Sequence, residues 1–149
     1  MGYTHYFSHK KTTAKKWALI LADCKKLQAA DDVPLCHYGD DNDSPVFDDK
    51  TICFNGMDSD GHETFELIRA GVKKGEHDKS MGFQFCKTAR KPYDTLVCAC
   101  LLVYMYHSPD TMELGSDGGP SEWADAEKFV KDTLGYEITF SGITGEEDE

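Results

Sequence analysis

Apolar and polar residues change period several times along the chain, and each change marks an element. Residues 2–7, GYTHYF, alternate, which puts Tyr3, His5 and Phe7 on one face of a strand. From Thr12 to about Ala30 the repeat lengthens. Trp17, Ile20, Leu21, Cys24 and Leu27 recur at helical spacing, with Lys15, Lys16, Lys25 and Lys26 on the other side, so the segment is an amphipathic helix. Asp31, Asp32 and Pro34 end it, because proline biases its predecessor away from helix. An acidic loop follows, marked by Gly39, Asn42, Ser44 and Pro45. KTICFNG (50–56) then predicts a strand running into an Asn55-Gly56 turn, and HETFELI (62–68) a second strand that pairs with it through a long connection.

Beyond a charged loop, GFQFCK (82–87) predicts another strand. PYDTLVCACLLVYMYH (92–107) is apolar nearly all round, which describes a central helix buried on most sides. Pro109 and GSDGGP (115–120) break the chain. Ser121 then caps a third helix through about Leu134, with Trp123, Ala126, Phe129, Val130 and Leu134 as its stripe and Gly135 as its stop. YEITF (136–140) reads as a last short strand, and GEEDE (145–149) as a disordered acidic tail. The expected architecture is one α+β domain over residues 1–144, with an antiparallel sheet of about four to six short strands packed with two or three helices. Strands and helices do not alternate regularly, which disfavours a doubly wound nucleotide fold.

Charge narrows the partners. The 149 residues carry 27 acidic against 16 basic side chains, a net charge of -11, so duplex nucleic acid is not an expected partner. No apolar run approaches the roughly 20 residues that span a bilayer, and the N-terminus lacks the basic and apolar regions of a secretory signal. A reducing cytoplasm is therefore expected, and with it six free thiols rather than disulfides. No cysteine pair has zinc-knuckle spacing, and Cys98 and Cys100 project to different faces of a helix, so neither metal nor other cofactor is expected. The aspartates at 40, 41, 43, 48 and 49 lack the glutamate that closes a calcium loop at its twelfth position, and Pro45 intrudes; a solvated loop is the expectation. The composition leaves homo-oligomerisation open.

Against this acidic background, FCKTARKPYD (85–94) gathers Lys87, Arg90 and Lys91 at the turn from a strand into a helix that Pro92 is suited to start. Free backbone N–H groups, the positive end of the helix dipole and the Thr88 hydroxyl would converge there on a compact anion, with Arg90 gripping a phosphate through two hydrogen bonds. Asp94 in the first helical turn opposes this, because it would repel an anion docked close by. Neither the phosphate-loop pattern nor the dinucleotide fingerprint is present. The expected site is Lys87, Thr88, Arg90, Lys91 and Tyr93, with His5 and His62 as further ligand contacts and no catalytic residue; the expected partner is a small phosphate-bearing nucleotide.

Two rival readings stay open. His5, His62, Glu63 and Cys86 are residue types that serve acid–base or thiol chemistry, although His62 and Glu63 point oppositely on a strand. Alternatively, the acidic surface imitates DNA and blocks a host protein.

The segments MGYTHYF, FNG, HETF and above all FCKTARKPYD, together with Trp17 on the first helix, resemble a family of small, mostly uncharacterised proteins encoded by tailed phages and prophages. The resemblance implies a viral origin and residence in the host cytoplasm, and fixes no reaction. Small acidic phage proteins include sponges that sequester cyclic nucleotide or cyclic ADP-ribose immune signals without altering them. By that analogy of context, the expected function is sequestration of such a signal, antagonising host defence.

Overall fold

A computed structural model describes residues 3–10, 12–37, 44–69 and 80–140. Strand β1 (Thr4–Lys10) leads into helix α1 (Ala14–Ala30), and two short strands follow, β2 (Leu35–Cys36) and β3 (Val46–Phe47). Next come β4 (Thr51–Gly56), β5 (Phe65–Ile68) and β6 (Ser80–Lys87), then helix α2 (Asp94–His107), strand β7 (Met112–Ser116) and helix α3 (Ala124–Leu134). This is a single mixed α+β domain, and its antiparallel strands form two sheets rather than one. One has the order β6-β1-β7; in the other β4 pairs with β2, β3 and β5.

The alternation in the first strand does what its pattern predicts. Tyr3, His5 and Phe7 are all buried, facing the helices. Register then fixes their neighbours: His5 lies opposite Cys86 on β6 and opposite Ser116 on β7, so the three side chains form one row on the inner face. Helix α1 starts where the Thr13 side chain accepts a hydrogen bond from the Lys16 N–H, and it buries Trp17, Ile20, Cys24 and Leu27. Helix α2 is buried without interruption from Leu96 to Tyr104, packed between α1, α3 and the first sheet. Gly135 closes α3 in the left-handed conformation at φ 87°, as its position predicts. No helix among the described residues is long and apolar enough to cross a membrane.

Four expectations need correction. YEITF is not a strand: the Tyr136 hydroxyl donates to Asp23, the Phe140 N–H donates to Glu127, and the Phe140 ring stacks on Trp123, so side-chain anchors replace a ladder. Met112–Ser116 is a strand despite running into GSDGGP, because β1 offers it a free edge. The third helix starts later than Ser121: residues 120–123 form a 3-10 turn, and the α-helix begins at Ala124. Finally, α2 begins at Asp94 rather than Pro92, residues 92 and 93 forming a turn. Of the acidic loop, residues 40, 41 and 43 lie outside the described residues, as does the tail at 145–149. Asp48 serves the fold directly, its carboxylate accepting the N–H groups of Lys50 and Thr51.

Candidate functional site

The turn between β6 and α2 is shaped by its own backbone. Ala89 and Arg90 both occupy the left-handed region, at φ 52° and 57°. This curls the chain back so that the N–H groups of Thr88 and Ala89 both donate to the Tyr3 carbonyl, and the Lys91 N–H donates to the Thr88 carbonyl. The N–H groups of Thr88, Ala89 and Lys91 are thus spent inside the fold, contrary to the expectation that free backbone donors face an anion there. The Asp94 side chain occupies the first turn of α2, so the helix dipole is met by a carboxylate of the protein itself.

Behind that turn lies a pocket of about 240 Å³ lined by Tyr3, Arg90, Lys91, Asp94, Cys98 and Glu122, among others. Its rim is cationic on one side. Arg90 lies 4.1 Å above the centre of the Tyr3 ring and reaches the Glu122 carboxylate at 3.3 Å. Gly118 makes room for this arrangement, since a methyl there would collide with the Tyr3 hydroxyl. Burial and the nearby Asp94 push the Tyr3 phenol up, so it stays protonated.

The floor of the pocket carries a convergent cluster. Asp94 and Cys98 stand one turn apart on the same face of α2, and His5 reaches them from β1. His5 Nε2 lies 2.7 Å from Asp94 Oδ1 and 3.3 Å from Cys98 Sγ, and Cys98 Sγ lies 3.8 Å from Asp94 Oδ2. His5 Nδ1 lies 2.8 Å from Ser116 Oγ, and the Thr88 hydroxyl donates to Asp94 Oδ1. Edges of Tyr3 and Trp123 flank the imidazole, each with its ring centre 5.1 Å away. Desolvation first, and then Asp94, raise the Cys98 thiol well above its ordinary range, so with no other charge present it is a neutral thiol. One imidazole nitrogen, one carboxylate and one sulfur here offer an acid–base relay or three ligands for a cation.

Of the residues predicted from sequence, Arg90 and Lys91 line the pocket. Thr88 and His5 sit fully buried in and behind its floor. Tyr93 is fully buried, its hydroxyl donating to the Glu63 carbonyl. Lys87 is half-buried outside the lining, with its N–H on the Glu63 carboxylate. His62 is exposed; its backbone is held by the Asn55 side chain, and the ring is not among the lining groups. Asp94, read from sequence only as an obstacle to an anion, was missed as a site residue, as were Cys98 and Ser116. The recoverable signal was the D-x-x-x-C spacing at 94–98, which places both side chains on one face of any helix.

No protein-family model, curated protein or solved structure is significantly similar to this chain.

Proposed function

We propose that this protein is a small enzyme acting on a phosphate-bearing, nucleotide-derived ligand in the pocket between Arg90 and the His5–Asp94–Cys98 cluster. The observation that carries the proposal is that cluster. A pocket that only sequesters a ligand needs cations and flat apolar contacts, whereas burying an imidazole, a carboxylate and a thiol together costs folding energy that a sequestering role does not return. Asp94 and Cys98 face the pocket, and His5, bonded through Nε2 to Asp94, holds the carboxylate and supplies or stores a proton behind it.

The rim supports the class of ligand. Arg90 and Lys91 are balanced by Asp94, Glu122 and Asp125 in the same lining, so a bare phosphate gains little there. A ligand that also presents hydroxyl or amino hydrogens to Glu122 and Asp125 gains on both sides, and ribose and nucleobases do. The phage resemblance supports reading that ligand as a cyclic signalling nucleotide of an infected cell.

Sequestration without chemistry is the second reading, favoured by the rim pair of Arg90 and Tyr3, which needs no reaction to hold an anion. One experiment separates the two. The protein is incubated with cyclic dinucleotides and cyclic ADP-ribose isomers, with zinc, magnesium, manganese or no added metal, and the ligand is recovered by heating and chromatographed. A converted product is expected. Bound ligand recovered intact under every condition would replace the enzyme with a sponge, and absence of binding across the panel would remove the nucleotide reading altogether.

A further inference from the structure

The donor atoms of His5, Asp94 and Cys98 converge closely enough to share one cation. In a tetrahedral zinc site, ligand bonds of roughly 2.0–2.3 Å put neighbouring donor atoms roughly 3.3–3.6 Å apart. The measured separations are 3.3 Å from His5 Nε2 to Cys98 Sγ and 3.8 Å from Cys98 Sγ to Asp94 Oδ2. Only the pair His5 Nε2 to Asp94 Oδ1, at 2.7 Å, is closer, and that is the distance of a hydrogen bond whose proton a cation would replace. All three donor atoms lie within 4.8 Å of one another.

The supporting groups are also those that a metal site uses. A metal on Nε2 needs the proton on Nδ1, and Ser116 Oγ stands 2.8 Å from that nitrogen, ready to accept it. The Ser116 hydroxyl in turn receives the Gly118 N–H, which fixes its position. The Thr88 hydroxyl orients Asp94 from behind. One sulfur, one imidazole and one carboxylate make a set of mixed softness that suits zinc, whereas magnesium and calcium prefer oxygen throughout. Asp94 and Cys98 also line the pocket, so a cation held by three protein groups would have its remaining position toward the ligand space, the arrangement of a catalytic rather than a structural site.

We propose that His5 Nε2, the Asp94 carboxylate and Cys98 Sγ bind a zinc-type divalent cation. The site deepens the enzymatic reading, since a bound cation supplies a Lewis acid and an activated water at the pocket floor. It is nonetheless tested with metal alone: a chain that binds zinc but converts no nucleotide would keep this inference and lose the other.

The test uses the full chain, reduced with a non-thiol reductant and freed of metal. Zinc is titrated against a chromophoric chelator, cobalt(II) is used as a spectroscopic probe, and the zinc-loaded protein is measured by X-ray absorption. One tightly bound zinc per chain is expected, with one sulfur and at least one imidazole in its shell, and a thiolate-to-cobalt absorption band. Cys98→Ser should abolish that band, while Cys36→Ser, a buried thiol bonded to backbone carbonyls elsewhere, should leave it. Thr88→Val should weaken zinc about 10–100-fold, as loss of a supporting hydrogen bond does. A zinc shell with no sulfur or with two or more, a cobalt band that survives Cys98→Ser, or no stoichiometric binding would overturn the proposal. The absorption measurement on the unaltered chain decides the matter even where a variant fails to fold.

Discussion

Arg90 stacks its guanidinium on the ring of Tyr3, 4.1 Å from its centre, and bridges from there to Glu122. The arginine is 56% exposed, so neither contact contributes much to folding; together they are worth roughly 1 kcal/mol. Arg90→Ala should lower unfolding free energy by about 1 kcal/mol or less in urea titrations, yet weaken a phosphate-bearing ligand by about tenfold or more in calorimetry. A large loss of stability with unchanged affinity would assign Arg90 to the scaffold.

Ala89 holds a left-handed conformation at φ 52°, which costs a residue with a side chain roughly 1–2 kcal/mol. Glycine adopts it freely but loses roughly 0.5–1 kcal/mol of chain entropy. Ala89→Gly should therefore stabilise the protein by about 0.5 kcal/mol, read as a raised denaturation midpoint. A fall instead would mean that the Ala89 methyl packs more tightly than its half-buried position suggests.

Tyr93 and Thr88, both expected from sequence to touch a ligand, are fully buried and bonded within the fold. Tyr93→Phe leaves the Glu63 carbonyl with only the weak Cys86 thiol as donor and should cost about 1 kcal/mol or more, with ligand affinity unchanged. Thr88→Val removes a bond to a carboxylate and should cost about 1.5–3 kcal/mol. Chemical denaturation gives both numbers. A Tyr93→Phe variant of normal stability that fails to bind ligand would return Tyr93 to the binding surface.

Burial holds the Cys53 and Cys86 thiols up to about 12, reinforced by Glu66 and Glu63 respectively. In the unfolded chain a thiol ionises near about 8.5. The folded state therefore keeps protons that the unfolded state releases, and this contribution, whole below about pH 8.5, falls as pH rises toward 12. The phenols of the buried Tyr93 and the half-buried Tyr136, also raised, add to the same trend. Urea midpoints should decline steadily above about pH 9, and both thiols should resist alkylation in the native state at neutral pH. A flat profile to strong alkali would contradict this burial.

Much of the fold was legible because the elements that dominate it carry long, unbroken patterns. The helical stripe from Trp17 to Leu27 and the all-round apolar run from Leu96 to Tyr104 each stand on many residues. The two-residue strands Leu35–Cys36 and Val46–Phe47 are too short to have a period, and Met112–Ser116 is a strand only because β1 has an edge to offer. YEITF shows the reverse case: its strand-like composition is overridden by anchors on Asp23, Glu127 and Trp123. At the site, the cationic turn was visible because its charges are adjacent in sequence. The His5 partnership with Asp94 and Cys98 was not, because it joins a strand at one end of the chain to a helix 89 residues later, and local ligand spacing cannot report that.

The site thus has one wall on the most protected part of the molecule and one on a short turn. From Leu96 to Tyr104 every residue of α2 is buried, so its amide hydrogens should exchange with solvent only when the whole domain opens. The turn at 88–91 is tied at its start by the buried Thr88 to Tyr3 and Asp94 but carries the exposed Arg90, whose amide should exchange sooner than those of α2. Any adjustment to a ligand is therefore expected at the Arg90 side of the pocket rather than along α2.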